Sequence, residues 1–181
     1  MPVLPRTLLL GALTIACGGN APNDSVAKLA PPVPLVDAAD FDESLRCLAL
    51  NVYHEARSEP EEGQLAVAAV TLNRVDSAAF PDSVCAVVKQ GGQKRHQCQF
   101  SWWCDGKSDR PTEAKAWKNA KRISRLALLG LVKDPTKKAL YYHATYVKPR
   151  WSRKMERTAR IDQHIFYRPK SAKPIQVASL N

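Results

Sequence analysis

The chain is 181 residues long, with 45% hydrophobic and 24% charged residues. That balance excludes a disordered polymer and a membrane-embedded bundle, and it predicts one folded body with a core of its own. A formal net charge of +10 and a pI near 9.6 give a surface that attracts polyanions, whether nucleic acid, anionic lipid or acidic envelope polymer, without choosing among them.

At the start, Arg6 precedes a largely apolar stretch from Leu8 to Ala16 that is too short to cross a bilayer as a helix. Residues 1–17 therefore read as a secretion signal. Cys17 follows Leu13, Thr14, Ile15 and Ala16, which makes it a candidate lipidation site that would give the chain a membrane anchor; simple cleavage and release is the rival reading. Residues 18–39, with their Ala-Pro-Pro-Val-Pro run, read as a Pro-rich linker. The folded domain is expected over 40–169 and a patternless tail over 170–181.

Asp40 and Glu43 have the form of a capping box, and Phe41, Leu45, Leu48 and Val52 then recur at helical spacing. Ser58, Glu59 and Pro60 break this helix, and a second starts near Pro60, with an almost wholly apolar run from Leu65 to Leu72 that predicts burial on most of its surface. Asp82 or Ser83 caps a short helix through Val84, Val87 and Val88, ended by Gly91 and Gly92. The aromatic run Gln99 to Trp103 reads as a short strand or ordered loop edge. Thr112 is the expected cap of a helix in which Trp117, Ala120, Ile123 and Ala127 share a face. Ala139–His143 and His164–Arg168 read as two short strands, separated by a basic segment, Val147 to Arg160. The sum is an α+β domain, mainly helical with a small sheet.

Four cysteines remain beyond Cys17, and an even number in an exported chain favours two disulfides. Cys98 with Cys104, close in sequence, and Cys47 with Cys85, stapling two helical segments, are the favoured pairs. No pair has the C-x-x-C spacing of a structural zinc site.

The apolar stripe of the first helix, carried one step further, lands on Glu55. A carboxyl group held against a helix core is poorly solvated, so its charged form is disfavoured and it becomes able to donate a proton near neutral pH. A glutamic acid so placed suits protonation of a glycosidic leaving oxygen. The structural alternative is an ion pair of Glu55 with Arg57 or Arg74. A two-carboxylate scheme needs a second acid, for which Glu59 is the best of Glu59, Glu61, Glu62 and Asp105; without one, a hydroxyl of the sugar itself can close on the anomeric carbon. Trp102, Trp103, Tyr141, Tyr142 and Trp151 suit sugar stacking or, singly, core packing. His54, His143 and His164 with Glu55 raise the rival of a zinc site, although no H-E-x-x-H spacing supports it. No Gly-rich phosphate loop or nucleophilic serine motif is present, and the basic segment alone does not make a nucleic-acid reader.

The run Cys47-Leu-Ala-Leu-Asn-Val-Tyr-His-Glu-Ala-Arg-Ser-Glu-Pro, followed by Glu62-Gly-Gln-Leu-Ala-Val-Ala-Ala-Val and Leu72-Asn-Arg-Val, resembles the cell wall hydrolases of the SleB/CwlJ type. The resemblance continues through Cys98-Gln-Phe-Ser-Trp-Trp-Cys-Asp-Gly, Asp134-Pro-Thr, Ala139-Leu-Tyr-Tyr-His and His164-Ile-Phe-Tyr. Ser58 stands where the family usually has glycine. What the resemblance implies is a lysozyme-like or lytic-transglycosylase-like fold and cleavage of peptidoglycan glycan strands between N-acetylmuramic acid and N-acetylglucosamine, with Glu55 as the acid. Glu59 is expected to shape or polarise the site, Trp102, Tyr142 and Trp151 to form the sugar groove, and His143 and His164 its polar lining, with no metal or cofactor. The expected location is the periplasm or cell envelope, after export. The rivals are a zinc-dependent N-acetylmuramoyl-L-alanine amidase and a non-catalytic peptidoglycan-binding lipoprotein.

Overall fold

The first helix, α1 (Ala38–Ala56), is capped by Asp37, whose carboxylate accepts from the backbone N–H of Ala39 at 3.1 Å. In this computed structural model, which describes residues 37–95 and 97–170, the cap of α1 thus lies three residues earlier than the Asp40 of the capping-box reading. The signal segment, Cys17 and most of the Pro-rich segment lie outside the described residues, as does the tail after Lys170.

Leu45, Leu48 and Val52 of α1 are buried as their spacing predicts, and α2 (Glu61–Val75) buries every residue from Ala66 to Val70. Each such Val or Leu contributes about 1.5–3 kcal/mol by leaving water. Pro60 occupies the N-cap position of α2, and Glu61 and Glu62 place negative charge in its first turn, against the positive end of the helix dipole. Short α3 (Val84–Val88) is capped by Ser83 Oγ, which accepts from the backbone N–H of Ala86. A disulfide between Cys47 and Cys85 staples α1 to it, and a second joins Cys98 to Cys104.

Two loops differ from expectation for a local reason. The aromatic run closes into a 3-10 turn, Ser101–Cys104, because Trp102 turns inward to donate its indole N–H to Asn51 Oδ1 at 3.1 Å. Asn51 in turn donates to Thr71 Oγ1 at 3.1 Å, and Thr71 to the Val67 carbonyl at 3.3 Å. This buried polar chain ties the turn to α1 and α2 one helical turn before Glu55. Helix α4 (Ala114–Leu128) has Glu113 at its N-cap, not Thr112. The Tyr53 hydroxyl accepts from the backbone N–H groups of Thr112 and Glu113, both at 3.1 Å, and so meets from α1 part of the need that a side-chain cap meets elsewhere.

Three antiparallel strands complete the domain: β1 (Tyr141–Ala144), β2 (Met155–Ile161) and β3 (His164–Pro169), in the order β1-β3-β2. β2 is the strand that the charge of the basic segment concealed, since Arg157 and Arg160 point to water while Ile161 joins the core. A bulge at Thr158 shifts its register on β3. Phe166 and Ile161, with Ala66 and Val70 of α2, form the layer that seats the sheet on the helices.

The loop before β1 is pinned to α2 by Asn73, whose amide donates to Asp134 Oδ2 at 3.0 Å and to the Ala139 carbonyl at 3.1 Å. Asp134 also accepts from the backbone N–H groups of Thr136 and Lys138, at 2.7 and 2.8 Å. Burial pushes this carboxyl's pKa up, but hydrogen bonds led by Thr136 and Asn73 outweigh it and hold the group below its ordinary value. A carboxylate depressed in the folded state stabilises above its unfolded pKa, and that stabilisation is lost as pH falls through the folded value. Asp134→Asn is therefore expected to cost about 1–3 kcal/mol at neutral pH. Urea unfolding across pH should also show less acid sensitivity in the variant than in the wild type.

Candidate active site

Glu55 lies in the last turn of α1, where the apolar stripe delivers it toward the sheet. Its Oε2 accepts from the Tyr142 hydroxyl of β1 at 3.0 Å. Burial of Tyr142 and the neighbouring Glu55 charge raise the phenol's pKa well above the ordinary value, so this hydroxyl remains a donor. Burial raises the pKa of Glu55, opposed by the Tyr142 hydrogen bond and by the positive charge of Arg74. The net direction is upward, toward the range in which a carboxylic acid can give up a proton near neutral pH.

Arg74 of α2 is 2% exposed, an unusual setting for a guanidinium. Its Nε donates to the Leu140 carbonyl at 2.8 Å, and its plane lies against the rings of Phe80 and Phe100, at 5.2 and 5.3 Å. It makes no ion pair with Glu55 among the described residues, and Arg57 pairs instead with Glu113 at 2.8 Å. Arg74 therefore acts on Glu55 through its field, not by neutralising it in contact.

These groups line a cleft of about 510 Å³, together with His54, Gln99, Ser101, His143, Tyr146 and His164. Glu55 is its only carboxylate among the described residues. A larger cleft of about 630 Å³ opens beside it but lacks Glu55.

The structure sorts the expected site residues into three places. Tyr142, His143 and His164 line the cleft with Glu55. Tyr142 reaches it as a hydroxyl donor to Glu55, a different role from the stacking ring expected of it. Trp151 stands behind, packed on His143 and Tyr167 at 5.6 and 5.5 Å, and Trp102 is a core residue, 7% exposed and stacked on His54 at 4.6 Å. Neither indole lines the cleft that holds Glu55, so the structure does not bring the sugar groove expected of them together with the acid. Glu59 also stands outside the cleft, because the break after α1 turns it toward the β2–β3 hairpin. There its Oε2 accepts from the backbone N–H of Gln163 at 3.3 Å.

The histidines serve separate purposes. His54 Nε2 donates to the Asp109 carbonyl at 3.1 Å. His143 Nδ1 donates to the Ala144 carbonyl at 2.9 Å, leaving Nε2 to accept from the Tyr167 hydroxyl at 3.1 Å. His164 is 8% exposed, and burial lowers its pKa against the opposing charge of Glu59, which favours the neutral ring. Among the described residues no three His, Cys, Asp or Glu side chains stand close enough to share a metal ion, so the zinc arrangement weighed for these histidines does not assemble.

Among the cleft residues not singled out from the sequence are Gln99, Ser101 and Tyr146. Tyr146, 84% exposed, lies at the mouth of the cleft just after β1. The available signal was a third tyrosine in Tyr-Tyr-His-Ala-Thr-Tyr, beyond the apolar alternation that defines the strand.

A lysozyme-like fold with a lone, desolvated glutamic acid in a cleft between helices and sheet defines the class. The family model described as Cell Wall Hydrolase matches residues 58–167, and the chain belongs to that family. The matched segment begins just past Glu55. Among similar proteins are the spore cortex-lytic enzymes of Bacillus subtilis (36% identical, covering 69% of this chain and 37% of that protein) and Oceanobacillus iheyensis (32% identical, 82% and 50%). The chain thus spans between about a third and a half of the length of these relatives. Its fold is similar to the catalytic domain of the Bacillus cereus SleB protein, with a TM-score of 0.57 and 33% identity over 75% of this chain and 95% of that one. It is equally similar, at 0.57 and 33%, to the catalytic domain of the germination-specific lytic transglycosylase SleB from Bacillus anthracis, covering 75% and 100%.

Replacing Tyr142 by Phe removes a hydrogen bond that favours the charged carboxylate. The pKa of Glu55, followed by carbon NMR of the labelled side chain, is expected to rise further in Tyr142→Phe.

Proposed function

We propose that the protein cleaves the glycan strand of peptidoglycan between N-acetylmuramic acid and N-acetylglucosamine, as a lytic transglycosylase with Glu55 as its acid. The observation that carries this reading is the cleft's single carboxylate, its pKa raised by burial, with a hydroxyl donor on one oxygen and the other left to hold a proton. Glu55 gives that proton to the glycosidic oxygen, and the bond from that oxygen to the anomeric carbon breaks. The resulting carboxylate is the species that Tyr142 and the Arg74 charge favour, so the machinery around the acid stabilises it most after it has given the proton away. The same carboxylate then takes the proton of the muramic 6-hydroxyl as that oxygen bonds to the anomeric carbon. The product is a 1,6-anhydro ring, and Glu55 returns to its acid form. No water is consumed, which suits a cleft with no second carboxylate to activate one.

Tyr146 at the cleft mouth is the ring best exposed to lie against a sugar face. Glu59 acts at one remove, fixing the hairpin beside His164. We further propose that the chain acts in the periplasm or cell envelope after export, anchored to membrane where Cys17 carries lipid. Arg150, Arg153, Arg157 and Arg160 on the outer side of the sheet region hold it on anionic wall polymer. Binding of Glu55→Gln protein to purified sacculi should then weaken as salt rises from about 50 mM to about 500 mM, through the range over which surface charges become screened. Binding indifferent to salt would remove that role from the basic face.

Mass spectrometry of fragments released from sacculi tests the chemistry. Anhydro-muramic ends are expected from the wild type and a loss of at least about a thousandfold in Glu55→Gln, as befits removal of an essential proton donor. Free stem peptides with intact glycan would instead assign amidase chemistry and overturn the reading.

A further inference from the structure

The larger, 630 Å³ cleft has no part in the chemistry above, yet it is a formed site. Leu50, Pro111, Trp103 and Trp117 make an apolar floor, and Arg46, Lys89 and Arg110 stand around it. None of these three cations has a carboxylate partner among the described residues, whereas Glu43 and Asp109 are the only acids in the lining. The Cys47–Cys85 bond ties the wall contributed by α1 to α3, from whose end Lys89 projects, so two sides of the cleft are covalently fixed to each other.

Its composition selects the ligand. Lys89 Nζ lies over the Trp103 ring at 5.6 Å, and Lys121 Nζ over Trp117 at 5.6 Å, so each indole already has a cation against a face. A sugar stacked on those faces would have to displace them. A flexible, partly aliphatic chain carrying carboxylates needs no such face, since its charges can pair with Arg46, Lys89 and Arg110 while its methylenes lie on Leu50 and Pro111.

Position gives the source. The wall between the two clefts is His54 with the Asp109 segment, held by the hydrogen bond between them; His54 lines the catalytic side and Asp109 the other. A four-residue peptide branching from a sugar beside Glu55 can extend roughly 13 Å, enough to pass over one such side-chain wall. We propose that this second cleft binds the acidic stem peptide of the strand being cut, so that the enzyme distinguishes peptide-bearing glycan from bare glycan. The inference rests on the glycan-cleaving reading above and adds a specificity site to it.

The test is an NMR titration of the full chain with the tetrapeptide L-Ala-γ-D-Glu-meso-diaminopimelate-D-Ala, which carries no sugar. The indole N–H signals of Trp103 and Trp117 are expected to shift, and affinity to fall about tenfold or more when both exposed arginines are reversed in Arg46→Glu/Arg110→Glu. Amidating the peptide's carboxylates should weaken binding to a similar degree, and Tyr142→Phe, in the other cleft, should leave it unchanged. No binding, equal binding by the charge-reversed protein, or equal binding of the amidated peptide would each overturn the proposal. So would shifts of the same two indoles by chitotetraose in place of the peptide. Release of anhydro-muramic fragments from peptide-bearing sacculi by the wild type tests the underlying reading separately. Its absence sinks the cleavage reading, while the titration still decides the cleft.

Discussion

A guanidinium sealed beneath the cleft is the constraint around which the rest is arranged. A buried cation costs several kcal/mol unless its surroundings answer it, and Arg74 is answered in part, by one carbonyl, two aromatic faces and the nearby acid, while its Nη1 finds no hydrogen-bond partner among the described residues. Those answers come from different parts of the chain: Leu140 from the approach to β1, Phe80 from the turn after α2, and Phe100 from the lead-in to the 3-10 turn. The requirement to satisfy one charge therefore fixes where three loops must lie. It also explains why Glu55 tolerates burial, since the field that disfavours leaving it neutral opposes the desolvation that favours it.

The helical body was legible because its signals are local. Helical spacing in Leu45, Leu48 and Val52, an apolar run in α2, and Ser83 before three valines each report the nearest few residues, and the structure places those residues inside. Glu55 was legible for the same reason, as a break in a stripe. What misled were cases where a distant group performed a local task. Tyr53 met the needs of the first turn of α4, so the cap read at Thr112 was not required. Asn51 drew Trp102 inward, so an aromatic read as a sugar platform became core. β2 was hidden because its outward charges are its most visible feature, and its inward residues make a pattern interrupted by the bulge at Thr158.

The aromatic residues divide by a simple criterion. Trp102 and Trp151, the large rings that sequence alone favours for binding sugars, are the ones a small domain uses to fill space around its histidines. Tyr142 enters the cleft by its hydroxyl and Tyr146 by its exposure. The cleft thus takes a polar edge from Tyr142 and an exposed ring from Tyr146.

Glu55 and Tyr142 lie 87 residues apart, one in the first helix and the other in the first strand. The acid's setting is therefore a property of the finished tertiary structure, assembled only when the sheet docks on α2. A chain with every helix formed but its strands undocked would have a solvated carboxylate and no cleft. On the glycan-cleaving reading proposed above, competence to cut thus arrives together with completion of folding.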